Sequence, residues 1–599
     1  MRTTRQRTEL QRKPAPEHWT GIAKAARGRR EQGARETWRC RLRDDRTVDL
    51  NLRAAQAALR MALAVSGIAA ECWPGSGRRQ DVRTEAVHAF VASSQGAVVV
   101  GSGGRLRMAG EFLGDRTARR PDWAGRALAM AGGLLVAAAY PGPALLPPAT
   151  GAWLVLPGVA LLYLALARTR REREAFGCGW IAGAAHFALA LHWMVHPFLV
   201  KADTHLWALP LAAVAVPAGF GLFWATAFAV ARRMASRGPW LALAFALALS
   251  ALEWVRGSAL TGFPWAMPGQ GWIHGETRSL YPAMGAYGAM FLTLLLPALA
   301  VSGRDWRRLA ASLALTSAAA ALVVVLCGFW ADRATYPDAA DGAARLRLVQ
   351  PNIPQREKWA RVHRLRNLSR LIALSESPGG GPPDVVIWPE SALPTVLSRS
   401  ELREGGRELL AQLLPPGAEA PVLLFGALTR DETGHFNSLV ALDSAGGVDV
   451  YDKHHLVPFG EFLPFADLLQ GVGIRAFAGS GFRRGAGPDG MQLRGLPRLA
   501  AAICYEAIFA DEMRRAAAGA DWLLQVTNDG WFGSGPGPQQ HLALARIRAA
   551  ELGLPLFRVA NTGVTAVIDA RGRIVRSLPL GEAGILDADL PPPRAEETY

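Results

Sequence analysis

Cysteine is scarce in this chain: there are five among 599 residues, Cys40, Cys72, Cys178, Cys327 and Cys504, and no two stand at CxxC or any other ligand spacing. That argues against a disulfide framework and against a zinc site. His454 and His455 are adjacent rather than spaced to face one ion, so no metal is expected there. Gly101-Ser-Gly-Gly104 lacks the Lys-Ser/Thr of a phosphate loop and the full dinucleotide pattern, and no cofactor is expected. Charge is also sparse. Charged residues make up 19% of the chain and hydrophobic ones 50%, which excludes disorder for the whole, and a mean hydropathy of +0.12 points to a membrane component. The formal net charge is +16, yet residues 1–122 hold 24 Lys and Arg against 13 Asp and Glu, so most of the excess sits there. No helix-turn-helix, zinc-finger or RNA-binding signature accompanies it, which excludes nucleic acid as the expected partner.

Residues 1–122 show no sustained period and no long apolar run. Three readings stay open: a disordered basic extension, a small domain of unfamiliar type, or non-native sequence from an upstream start codon. The first and third together are favoured. The initial charges are not followed by an apolar core and a small-residue cleavage site, so this is not a secretory signal.

From residue 123 to 335 the composition is that of a membrane domain. Apolar stretches recur near 124–141, 149–167, 177–199, 206–231, 239–256, 282–302 and 307–330, most of them long enough to cross a hydrocarbon core of about 30 Å, which gives about seven transmembrane helices. Arginine clusters fall in alternate loops: Arg116, Arg119, Arg120 and Arg126; Arg168, Arg170, Arg171 and Arg173; Arg232, Arg233 and Arg237; Arg304, Arg307 and Arg308. The excess of Lys and Arg on the cytoplasmic side then places the N-terminus in the cytoplasm and everything after Trp330 outside it.

After residue 336 the pattern changes to short strands, turns and charged helices, up to about residue 590. Arg345–Val349, Asp384–Trp388, Val422–Gly426, Leu499–Cys504, Trp522–Thr527 and Thr565–Asp569 read as strands, with a turn into Arg573–Val575. Helical patterns fall near 358–376, 399–414 and 538–552. Such alternation describes a layered α/β or α+β domain. The run Leu499-Ala-Ala-Ala-Ile-Cys504 reads as a buried strand that delivers a thiol to the rim of a sheet. The helical segment Asp511–Ala518 is expected to bring a helix N-terminus near that thiol and to lower its pKa.

Three further strand ends carry groups that can act: Glu390 after Asp384–Trp388, Lys453 after Val448–Asp452, and Asn528-Asp529 after Trp522–Thr527. Ligand sites in layered sheets lie beyond strand ends, so these residues can converge. The set suffices for acyl transfer through a thioester, with Cys504 as nucleophile, a carboxylate such as Glu390 as proton carrier and Lys453 on the oxyanion.

Trp388-Pro-Glu-Ser391, Lys453-His-His-Leu-Val-Pro-Phe-Gly-Glu-Phe462, Ile503-Cys-Tyr-Glu506 and Asn528-Asp-Gly-Trp-Phe-Gly533 resemble motifs of the nitrilase superfamily. With Leu260-Thr-Gly-Phe-Pro-Trp265, Val349-Gln-Pro-Asn-Ile-Pro-Gln355 and Gln540-His-Leu-Ala-Leu-Ala-Arg-Ile-Arg548, the chain resembles the membrane-bound apolipoprotein N-acyltransferase family from about residue 124 to 598. The resemblance implies a multi-span α-helical bundle carrying an α+β nitrilase-like αββα sandwich. It implies a Glu390-Lys453-Cys504 triad, with Glu461 as an additional essential carboxylate and Trp359, Tyr505, Glu506 and Trp531 around the site. The implied reaction is ping-pong: a phospholipid, commonly phosphatidylethanolamine, acylates Cys504, and the amine of a diacylglyceryl-cysteine on an apolipoprotein takes the acyl chain. The implied location is the bacterial inner membrane, with the catalytic domain periplasmic. Family members usually close with another span, which is expected to be absent from the tail 591–599.

Two other readings compete. A membrane-tethered amidase would resolve the thioester with water, and a transporter or scaffold would only bind. The few ionisable residues in the spans, among them Glu253, Arg256, His186, His192 and His196, weigh against a transporter. Phe462–Phe482, with Leu468 and Leu469, is apolar for a loop and reads equally as a lipid-touching arm or as packing on the sandwich.

Overall fold

The computed structural model describes residues 122–140, 147–200, 202–303, 343–414, 422–462 and 481–591, with three short N-terminal strands and a few isolated residues besides. Most of the basic extension, the expected span at 307–330, the arm at 463 and 465–480, and the end of the tail lie outside the described residues. The chain divides into two units, residues 1–120 and 121–599. In the first, β1 (Thr37–Arg41), β2 (Thr47–Asn51) and β3 (Glu71–Pro74) form an antiparallel sheet in the order β2-β1-β3. Strands of four or five residues are too short for their alternation to stand out in the sequence.

Among the described residues of the second unit, four helices are long and apolar enough to cross a membrane: Pro148–Arg168, Leu206–Met234, Gly238–Ser258 and Glu276–Ala300. A fifth span exists if Glu172–Ala190 and His192–Val200, bent by 64° at their junction, are taken as one. The stretch expected at 124–141 forms the 16-residue helix Trp123–Ala138, whose N-terminus is capped by the Asp122 side chain accepting from Gly125 N. Small residues let these helices approach closely. A Cβ on Gly133 would stand 2.2 Å from the Ala182 carbonyl oxygen, so the packing of these two helices requires glycine there.

Charge inside the bundle is paired. Glu253 and Arg256 are both buried and bonded to each other; Glu253 also accepts from Trp224 Nε1 at 2.8 Å, and Arg256 donates to the carbonyls of Phe263 and Trp265. A lone charge in such surroundings is costly, so its partners are fixed. Here the partners are the backbone of the Leu260–Trp265 loop, and the ion pair pins that loop.

The sandwich contains two sheets. One has β16 (Gly584–Asp589), β4 (Arg345–Gln350), β5 (Val385–Trp388), β7 (Val422–Asp431), β8 (Gly434–Leu442) and β9 (Val448–Asp452) in that order, with β6 (Val396–Ser398) beside β7. The other runs β10 (Gly490–Met491), β11 (Leu499–Ile503), β12 (Trp522–Thr527), β13 (Leu556–Ala560), β14 (Thr565–Ile568) and β15 (Ile574–Leu578). β4, β5 and β7 are parallel, as are β11, β12 and β13.

Side-chain alternation assigns the layers. On β11, Ala501 and Ile503 join Leu346, Leu348, Ile387, Leu424 and Val526 in the core between the sheets, while Ala500 and Ala502 face the helices Ala510–Ala516 and Gly537–Leu552. The outer face of the first sheet is covered by Arg364–Ser375 and Arg399–Leu413. The result is αββα, and each buried Leu or Ile contributes about 1.5–3 kcal/mol. β8, β13 and β16 have no counterpart in the sequence reading. Each carries polar or charged residues inside the strand that are paired only in three dimensions, such as Arg558 on β13 and Asp587 on β16.

Candidate active site

Glu390, Lys453 and Cys504 each follow a strand, and at two of these strand ends the backbone leaves ordinary geometry. Cys504 caps β11 with φ +53° and opens a short 3₁₀ turn, Cys504–Ile508. Ser391, next to Glu390, has φ +50°. Left-handed backbone at non-glycine residues costs about 1–3 kcal/mol and persists only where the surroundings impose it. Gly426 on β7 permits the Glu390 turn: a Cβ there would meet the Glu390 Cα at 2.5 Å.

The structure brings Glu390, Lys453 and Glu461 together. Lys453 Nζ donates to Glu461 Oε1 at 2.9 Å and lies 3.8 Å from Glu390 Oε1. Asn437 on β8 joins the two carboxylates, its Nδ2 donating to Glu390 at 2.8 Å and to Glu461 at 3.0 Å. Glu461 also accepts from Val457 N at 2.8 Å. Burial by itself would lower the pKa of the Lys453 ammonium, but Glu461 and Glu390 outweigh it and hold it above its ordinary value. Lys453 is therefore a fixed cation.

Cys504 is buried beside this cluster. Burial pushes its thiol up to about 12, Glu390 adds to the rise, and Lys453 opposes it. The expected lowering by a helix N-terminus is thus corrected: Ala510–Ala516 has seven residues and begins beyond the 3₁₀ turn, and desolvation of a buried thiolate is the larger effect. At neutral pH the Cys504 side chain is therefore held as a thiol, and any attack by its sulfur would require loss of that proton.

The supporting residues divide. Glu506, buried, accepts from Ile503 N at 2.8 Å, His454 N at 2.7 Å, His455 N at 3.1 Å and Tyr451 OH at 3.0 Å. It thereby ties the Cys504 strand to the stretch carrying Lys453. Tyr505 turns toward the membrane loop, donating to the Gly262 carbonyl at 3.0 Å and stacking near Phe263. Trp359 and Trp531 are each more than a third exposed. Their segments meet through Asn528 Nδ2, which donates to Gln355 Oε1 at 2.6 Å.

Sequence reasoning missed Asn437 and Lys358. Lys358 is buried, donates to the Glu390 carbonyl at 2.8 Å, and is drawn down by burial to about 8. Its only sequence signal was its place next to Trp359. His454 and His455 instead clasp Glu512, at 2.9 and 2.8 Å, and His455 Nε2 reaches the Thr261 carbonyl at 2.9 Å. Among the described residues no group of three or more His, Cys, Asp or Glu is placed to hold a metal ion.

Residues 345–599 match the carbon-nitrogen hydrolase family model, and residues 131–299 match that of the apolipoprotein N-acyltransferase N-terminal domain. Fold and matches together define a nitrilase-type domain joined to a membrane bundle. An apolipoprotein N-acyltransferase of Caulobacter vibrioides is 38% identical over 489 residues, covering 79% of this chain and 90% of the relative. Those of Rhodopseudomonas palustris and Brucella melitensis are 40% and 38% identical over 444 and 455 residues, covering 70% and 72% of this chain and 81% and 83% of theirs. The chain belongs to the apolipoprotein N-acyltransferase family.

Proposed function

We propose that this protein transfers an acyl chain from a phospholipid, phosphatidylethanolamine being the expected donor, to the N-terminal amine of an S-diacylglyceryl-cysteine on an apolipoprotein. The observation that carries the reading is Cys504 at a strained strand end beside a paired Glu390-Lys453-Glu461 cluster, on a sandwich fastened to membrane helices. Residues 123–335 anchor the enzyme, and residues 336–590 carry the chemistry on the periplasmic side of the inner membrane, with the N-terminus cytoplasmic.

Glu390 takes the Cys504 proton as sulfur attacks the ester carbonyl. The C–O bond breaks, the lysophospholipid oxygen receives that proton, and a thioester remains. Lys453 holds the oxyanion of each tetrahedral intermediate, an interaction worth several kcal/mol in a site closed to water. The acceptor amine then attacks the thioester, the C–S bond breaks, and Glu390 passes the amine proton to sulfur. Glu461 and Asn437 keep Lys453 and Glu390 in register.

Intact-mass spectrometry after incubation with a phospholipid of defined acyl chains tests this. The expected result is a gain of one acyl group, removed by hydroxylamine, discharged by a diacylglyceryl peptide and absent in Cys504→Ser. An adduct discharged by water as fast as by the peptide would mean an amidase-type hydrolase instead.

A further inference from the structure

The motif Gln540-His541 has no part in the mechanism above, yet His541 lies directly behind the nucleophile. His541 and Asp529 are fully buried, as are Gln525 on β12 and Arg558 on β13. The Cys504 carbonyl accepts from Gln525 Nε2 at 2.9 Å. The same Gln525 nitrogen is 3.1 Å from His541 Nε2, and Gln525 Oε1 accepts from Arg558 Nη1. His541 Nδ1 is 2.9 Å from Asp529 Oδ1, whose other oxygen accepts from Arg558 Nη2 at 2.6 Å. Arg558 Nη2 also lies 3.2 Å from His541 Nδ1, and His541 Nε2 lies 3.1 Å from the Cys504 carbonyl.

One hydrogen assignment satisfies the Asp529, Gln525 and Arg558–Gln525 pairs, and it leaves the approaches of His541 Nε2 to the Cys504 carbonyl and of Arg558 Nη2 to His541 Nδ1 as close contacts rather than hydrogen bonds. Two lone pairs facing each other across 2.9 Å repel, so His541 Nδ1 carries a proton and donates to Asp529. Burial and Arg558 disfavour a second proton on the ring, which leaves Nε2 as an acceptor. Gln525 then spends one N–H on His541 and the other on the Cys504 carbonyl. Its amide cannot flip, because Arg558 requires the oxygen on the opposite side.

We propose that Gln525 and His541 are positioning residues for the nucleophile. Arg558 and Asp529 fix the tautomer of His541, His541 fixes the amide of Gln525, and Gln525 holds the Cys504 carbonyl so that the residue stays in the left-handed turn that aims its sulfur. Neither side chain touches the reacting atoms. The proposal rests on Cys504 being the nucleophile of the function proposed above.

The test compares wild type with Gln525→Glu, which keeps the shape and the Arg558 contact but loses both N–H donors, and with His541→Leu and His541→Gln. Two rates are read in full-length protein: acyl-enzyme formation from phospholipid, by mass spectrometry, and alkylation of Cys504 by iodoacetamide. Displacing a reacting atom by about 1 Å costs on the order of 100-fold. Gln525→Glu is expected to lower kcat by about that factor with KM within about twofold, and to slow alkylation in parallel. His541→Leu is expected to lose about tenfold, and His541→Gln, which retains a donor and an acceptor, to recover most of it. Folded Gln525→Glu with both rates within about threefold of wild type would overturn the proposal. If Gln525→Glu does not fold, full activity in folded His541→Leu overturns it, as does a loss that His541→Gln fails to restore. Slower alkylation in the variants, with no acyl adduct even in wild type, would leave the positioning role standing and remove the thioester reading.

Discussion

The space between the two sheets and the seam between sandwich and membrane helices are both buried, but they are held by different forces. Between the sheets, Leu346, Leu348, Ile387, Leu424, Ile503 and Val526 interdigitate. At the seam apolar packing continues, and directed bonds run through it. Gln540 Oε1 accepts from Trp193 and Trp265 at 3.0 and 2.8 Å, and its nitrogen donates to the Ala190 carbonyl at 3.1 Å. Arg546 reaches the Ile273 carbonyl at 2.7 Å, and Glu551 accepts from Ala286 N at 2.5 Å. Apolar burial is non-directional and supplies cohesion, whereas buried hydrogen bonds fix register because leaving them unmade is costly. The seam adjoins the Leu260–Trp265 loop and Tyr505, so register there is register at the candidate active site.

The largest expected effect sharpens the electrostatic side. Glu390→Gln should lower kcat by about a thousandfold, yet it removes the charge that raises the Cys504 pKa, so iodoacetamide should alkylate Cys504 faster at neutral pH than in wild type. Parallel losses in both rates would mean that loss of the base outweighs removal of the charge, and an unchanged kcat would contradict the role given to Glu390. Next, Leu424→Ala should destabilise the sandwich by about 2–5 kcal/mol in chemical denaturation while activity per folded molecule stays near wild type. Gln540→Leu reverses that pattern. It strands two tryptophan N–H groups, costs about 1–3 kcal/mol, and should lower activity per folded molecule more than Leu424→Ala does. Equal activity ratios for the two variants would erase the distinction between cohesion and register.

The smallest effect is a pH dependence. Burial would lower the His454 pKa, but its hydrogen bonds to Glu506 and Glu512 raise it to about 9, above the unfolded value. Its stabilising contribution is therefore full below about pH 6.5 and lost as pH rises through about 9. His454→Gln should lower the melting temperature at pH 6 and change it little at pH 9.5; an equal drop at both would exclude the linkage.

Elements whose signal is local were legible in the sequence. β11 and β12 announce themselves as apolar runs, and Glu390, Lys453 and Cys504 stand at strand ends the sequence marks. The bend at Leu191 was not legible, because an apolar run reads the same whether straight or broken. Here the chain turns through a 3₁₀ segment that presents Trp193 to Gln540. β8 was obscured by buried Asn437 and Ser438, whose partners, Glu390, Glu461, Thr429 and Asp452, lie on other segments of the chain. The thiol's raised pKa was missed because the apolar run marks a buried strand but does not say that the thiol at its rim is buried as well.

Gln540 and His541 are consecutive, yet one is bonded to the membrane helices and the other sits behind Cys504. Their helix therefore takes part in two tasks, and few exchanges at one position leave the other undisturbed. An exchange at Trp193 or Trp265 therefore calls for a compensating exchange in this helix, one that must also leave His541 in place behind Cys504.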